Sequence, residues 1–192
     1  QTKNGWLALA ARVMKSIAVF VEGHGEVAAA DKLVTRLSQA IGKPLRVRQT
    51  LRWKNLHRKD GLERAVHYAR TLGVSGTLLI RDEDDACPKD TAPRDAAILR
   101  ASAPSSPTAI LLMCREYEVV FLPSLHSIAG KSIAGRPGLL PDTRWSGPWE
   151  SKRDVKGWLT DHMPPGRAYK PTLDQLPMTL MLDIDALLRS DV

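Results

Sequence analysis

Three short apolar runs and one alternating run set the rhythm of the first part of the chain. Residues 16–21 (SIAVFV), 77–80 (TLLI) and 109–113 (AILLM) are apolar nearly throughout, whereas residues 45–51 (LRVRQTL) alternate apolar with polar. Continuous runs of this length predict strands buried on both faces of a parallel sheet, and the alternating run predicts a strand nearer an edge. Between them the apolar spacing becomes helical. Val27, Ala30, Leu33, Val34, Leu37 and Ile41 recur on one helix face, with Gly42 as a stop. Leu62, Ala65, Val66, Ala69 and Leu72 form the inner face of a second helix, for which Asp60 is the predicted cap. A third helix is expected over 93–101. Strands and helices alternating at this interval imply right-handed βαβ units, hence an α/β fold with a mostly parallel sheet of about four strands.

The pattern changes after residue 125. Gly, Pro and Trp become frequent, a short helix is expected within 152–163, and a longer helical pattern occupies 173–188 with Pro177 inside it. This divides the chain into an α/β core over 14–125 and an irregular extension with a C-terminal helix, 126–192, packed on that core. Residues 1–13 (QTKNGWLALAARV) precede Met14 and are read as an N-terminal extension outside the core, with Met14 near the natural start.

Each apolar strand ends in acid. The first runs into Glu22, Gly23, His24, Gly25 and Glu26, the third into Asp82, Glu83, Asp84 and Asp85, and the fourth into Arg115, Glu116, Tyr117 and Glu118. In open parallel sheets, ligands bind at the carboxyl ends of the strands. Carboxylates gathered there repel one another and are costly to desolvate. A hard divalent cation, Mg²⁺ or Mn²⁺, relieves both costs, and two residues apart on an extended segment Asp82 and Asp84 face the same way. A solvated acidic loop is the plainer alternative. Asp183 and Asp185 repeat the spacing within a helical pattern, where side chains two apart diverge by about 200°. A lone histidine in a Gly-rich turn, His24, carries no catalytic expectation.

Charge narrows the partners. The net charge is +7 with 26% charged residues, and a basic body around an acidic edge suits a polyanionic substrate. Arg52, Lys54, Arg58 and Lys59 surround Trp53 in one stretch, a candidate contact for a nucleic-acid backbone or else a solvated loop. The 43% hydrophobic content supports a core, and no apolar stretch is long enough to span a membrane. Cys87 and Cys114 form no CxxC pair, which argues against structural zinc and a disulfide framework and fits a reducing cytoplasm.

Four segments taken together, FVEGHGE, LIRDEDDACP, REYEVVFL and YKPTLDQL, resemble the DUF4276 group of small prokaryotic Toprim-like proteins. Toprim domains also occur in topoisomerases, bacterial primases, RecR-type repair proteins and OLD-family nucleases. The resemblance covers most of the chain from Met14 onward. It implies a general acid or base at Glu22 and Mg²⁺ (or Mn²⁺) ligands at Asp82, Asp84, Glu22 and Glu118. It also implies a catalytic lysine at Lys170, with Glu26, Arg81, Asp85 and Glu116 in support. The expected activity is Mg-dependent phosphodiester hydrolysis of DNA or RNA, in a defence or mobile-element setting. The alternative is a non-catalytic module that binds nucleic acid or a separate ATPase. No domain carrying a strand-cleaving tyrosine accompanies the motifs.

Overall fold

Residues 15–83 and 86–190 are described by a computed structural model of the chain. The run SIAVFV forms β1 (Ser16–Val21), whose last five residues are buried, at the centre of a sheet. It pairs in parallel with β2 (Arg46–Arg52) on one side and β3 (Gly76–Glu83) on the other. β3 pairs in parallel with β4 (Thr108–Cys114), so the strand order is β2-β1-β3-β4. The expected α/β architecture with a four-stranded parallel sheet flanked by helices is therefore present.

Crossover handedness decides which face each helix covers. The chain steps one way from β1 to β2 and the opposite way through β3 to β4, so right-handed connections place the first helix on one face and the next two on the other. The packing follows this rule. α1 (Glu26–Ala40) buries Ala29, Ala30, Leu33 and Val34 in one cluster with Ile17, Val19, Val21, Ile80 and Met113. α2 (Lys59–Thr71) and α3 (Pro88–Ser102) bury Leu62, Ala65, Val66, Ala69 and Leu99 against Ala18, Phe20 and Leu79.

One helix cannot cover four strands, and later segments complete the α1 face. A 3₁₀ turn, Tyr117–Ser124, buries Tyr117, Val119, Val120, Phe121 and Leu122 there. It is followed by α4 (Leu125–Ile128), α5 (Val155–Asp161), α6 (Leu176–Met181) and α7 (Ile184–Arg189). Met178, Leu182 and Leu187 join the same cluster.

Several expectations need correction. The 109–113 run does not form a strand buried on both faces; β4 is an edge strand with alternating exposure, and Leu111 is 43% exposed. The crossover rule puts only α3 beside it, and the C-terminal helices leave its outer half open. Asp60 does not cap α2. Arg58 stands at the cap position, and Asp60 lies in the first turn between Arg58 and Arg64. The 173–188 pattern breaks into a π-helical turn, Pro171–Gln175, then α6 and α7. Pro177 is the second residue of α6, directly after the π-helical turn whose helical backbone runs on through Gln175 and Leu176. Leu182 turns extended, and Asp183 caps α7 by accepting from the Ala186 N–H. The expectation for residues 1–13 lies outside the described residues.

The largest fully buried side chain belongs to Arg81. Its Nη1 donates to Leu56 O at 2.7 Å and pairs with Asp95 Oδ2 at 2.9 Å, while Nη2 meets Glu83 Oε2 at 2.5 Å. Asp95 is 1% exposed, so removing the guanidinium leaves a buried carboxylate with only the exposed Arg94, 2.9 Å from Oδ1, as its charge partner. Arg81→Leu should lower unfolding free energy by about 3 kcal/mol in urea titration. Arg81→Leu combined with Asp95→Leu should recover a large part of that loss, since neither charge then remains buried.

Candidate functional site at the carboxyl edge of the sheet

Alternation along β3 sends neighbouring residues to opposite faces. Arg81 and Glu83 pair on the α3 side, and Asp82 therefore turns to the α1 side, following Ile80. There it meets acids from two other strand ends. Glu26 is buried in the first turn of α1. Glu118, fully buried, comes from the 3₁₀ turn after β4. Glu22, at the end of β1, is half-buried and turns to the opposite face, beside Arg81 and His57, so the structure does not bring it together with Asp82.

The first turn is tightly constrained. A Cβ at Gly23 would strike the Glu26 carboxylate, and one at Gly25 would strike Gln175 Oε1 and the Pro171 carbonyl. Glycine is required here by close approach, and the YKPTLDQ segment packs directly on the β1 turn.

A basic residue that spacing did not reveal stands among the acids. Lys156 Nζ lies 3.7 Å from Asp82 Oδ2 and 3.4 Å from Glu118 Oε2. Its helix, α5, begins at Asp154, whose Oδ1 accepts from the Gly157 N–H, and the Lys156 N–H donates to Glu116 Oε2. Glu116 thus orients the lysine's helix. Glu118 is fixed from the far side by Tyr169 Oη at 2.8 Å and Gln175 Nε2 at 3.2 Å, both donating to Oε1.

Desolvation dominates the electrostatics. Burial pushes the Asp82 carboxyl up to about 8, reinforced by the charges of Glu26 and Glu118 and opposed by Lys156 and the Tyr117 N–H. Burial likewise raises Glu118 and Glu22. Lys156 is also held above its ordinary value, because Glu118 and Asp82 outweigh its desolvation. The phenols of Tyr117 and Tyr169 are raised by burial and by Glu118, so both remain neutral donors.

The other expected site residues distribute as follows. Glu22 accepts from the Leu56 N–H, and His57 Nδ1 lies 3.9 Å from its Oε1. Arg52 Nε donates to Glu22 O at 3.0 Å, which brings the basic loop against the acidic edge. Lys54 and Arg58 are exposed on that loop, and Lys59 is exposed at the start of α2. Arg81 lies under the loop and faces away from Asp82. Lys170 has an exposed side chain, and its N–H donates to the buried Asp174, which also pairs with Arg136 and Arg167. Asp84 and Asp85 lie outside the described residues.

Among the described residues, no three His, Cys, Asp or Glu side chains are gathered closely enough to hold a metal ion. The donor chemistry nevertheless fits a hard dication. Asp82 Oδ1 is buried without a hydrogen-bond partner, Glu118 Oε2 has Lys156 as its partner at 3.4 Å, and oxygen donors of this kind suit Mg²⁺ or Mn²⁺. Among the described residues, no helix is long and apolar enough to cross a membrane. Comparison with protein-family models and with curated proteins gives no match.

The raised Asp82 carboxyl has a consequence for stability. Between its ordinary value of 3.8 and about 8 the folded chain holds a proton that the unfolded chain releases. Metal-free stability should therefore fall as pH rises through that window. Thermal unfolding in chelator from pH 4 to 8 should show this decline. Asp82→Asn should flatten it and raise the midpoint at pH 8 by several degrees.

Proposed function

We propose that the chain is a metal-dependent phosphodiesterase acting on nucleic acid, of the Toprim type that its motifs resemble. The observation that carries this reading is the meeting of Asp82, Glu118 and Glu26 with Lys156 at the carboxyl edge of a parallel sheet, with Asp82 Oδ1 buried and left unpartnered. A site kept short of partners is a common feature of chemistry.

Asp82 and Glu118 would hold Mg²⁺ or Mn²⁺, with Asp84 as the further ligand implied by resemblance. The ion supplies charge neutralisation and a more acidic bound water. The chain's own residues do the rest. Lys156, shared between two carboxylates, can turn its ammonium to a non-bridging phosphate oxygen and stabilise the charge that develops there. Glu22 is more accessible than Glu118, and burial raises its carboxyl towards neutrality, which suits it to take a proton from the attacking water. Tyr169 and Gln175 keep Glu118 in one orientation, and Glu116 keeps α5 in register. The basic loop carrying Arg52, Lys54, Arg58 and Lys59 flanks the acids and can take neighbouring phosphates.

The rival reading is a non-catalytic module that binds nucleic acid or an ATPase partner. Cleavage of labelled DNA and RNA, and of bis(p-nitrophenyl) phosphate, in Mg²⁺ or Mn²⁺ decides between them. We expect chelator-sensitive hydrolysis that Asp82→Asn abolishes. Lys156→Ala should lower kcat about a hundredfold, with Lys156→Arg intermediate. Absence of hydrolysis with every substrate, together with metal-independent binding, would establish the module instead.

A further inference from the structure

The sheet has a second uncovered surface, on the opposite side from the acids. α2 leaves the outer strand β2 open on its face: Gln49 is exposed and Leu51 half-buried. The pairing of β2 with β1 shifts between Ile17 and Ala18, which partner Val47 and Gln49, so Arg48 is left without a register partner. Arg46 and Arg48 are both exposed. Beyond the strand's end, Trp53 packs edge-on against Phe20, with centroids 5.2 Å apart, and tilts against Tyr68 at 5.5 Å. The Trp53 indole N–H donates to Gly61 O, which fixes the ring, while Tyr68 remains 38% exposed. A shallow hollow of about 400 Å³ opens here, lined by Trp53, Glu63, Arg64, His67, Tyr68 and Thr71. Its one carboxylate, Glu63, is already paired with Lys59.

We propose that this surface is a track for single-stranded nucleic acid, running along β2 and leading to the acidic edge. The inference rests on the phosphodiesterase reading and names the form of the substrate. Charge complementarity argues for a polyanion: Arg46, Arg48, Arg52 and Lys54 follow one another along the strand and into the loop, and Arg52 touches the backbone of Glu22. The aromatic hollow argues for a single strand. An exposed ring at a wall held rigid from beneath can stack an unpaired base, whereas a duplex buries its base faces. Seven residues of β2 span roughly 23 Å at strand rise, enough to follow several nucleotides from the Tyr68 hollow.

The test separates binding from cleavage. Fluorescence anisotropy in chelator, across a potassium chloride series, compares labelled oligothymidylate with a duplex of equal length. We expect tighter binding of the single strand. Tyr68→Ala should weaken it about tenfold, and Tyr68→Phe should restore it. Arg46→Ala with Arg48→Ala should reduce the slope of log affinity against log salt by about 1.4, two phosphates' share for a single strand. Duplex binding as tight as single-strand binding, or an affinity indifferent to Tyr68, would overturn the track. Cleavage of bis(p-nitrophenyl) phosphate serves as the separate control. If that ester is hydrolysed and the single strand is not bound, the track fails and the phosphodiesterase stands. If the strand is bound through Tyr68 and no diester is cleaved, the catalytic reading fails and the track stands.

Discussion

Buried like charge is the constraint on which the rest of this molecule turns. Asp82 feels the charges of Glu26 and Glu118 at the sheet's edge, and one ammonium, Lys156, stands between Asp82 and Glu118. Carboxylates in that position either hold protons, find a cation, or push the fold apart. The chain spends structure on keeping them there. Tyr169 and Gln175 brace Glu118, Glu116 holds the start of α5, Gly23 lets the β1 turn close over Glu26, and Gly25 admits Pro171 and Gln175. A fold selected for stability alone would replace the group with apolar side chains of similar volume. Its persistence within so much supporting structure is the physical argument for chemistry at this edge.

The acids were legible in the sequence because their placement follows from strand geometry. A run such as TLLI that stops at Asp82 announces a strand end, and in a parallel sheet all such ends lie on one edge. Glu22 and Glu118 follow from the same rule. Alternation also separates Asp82 from Arg81 and Glu83, which the structure sends to the other face. Lys156 was invisible for the opposite reason. It reaches the site through a short helix whose approach is set by the Asp154 cap and by Glu116, contacts that no local periodicity encodes. Lys170 lies in a recognisable motif, but the neighbouring Asp174 engages its backbone and leaves its side chain outward.

Edges were harder to read than interiors. The apolar run of β4 has the composition of a central strand, and composition does not report strand order. Order follows from the direction of each crossover, which is decided by packing across the whole sheet. The C-terminal pattern misled in the same way. Its apolar residues do face the core, and Met178, Leu182 and Leu187 are buried. The chain nevertheless breaks at Leu182 and restarts at Asp183, because the capping carboxylate offers the Ala186 N–H a partner that a continuous helix would not need.

Arg81 and Glu22 are mechanically joined through one loop on the α2 side of the sheet. Arg81 on one face donates to Leu56 O, and the Leu56 N–H is bound by the Glu22 carboxylate. The residue after it, His57, lies beside that same carboxylate, and Trp53 at the loop's beginning is anchored on Gly61. The basic loop is therefore held at both ends by buried groups while its charges face solvent. A rigid loop offers phosphates an array of cations whose ordering entropy has already been met in folding. Arg81 fixes the peptide that Glu22 also grips, and so ties the geometry of the basic loop to that of the β1 strand end.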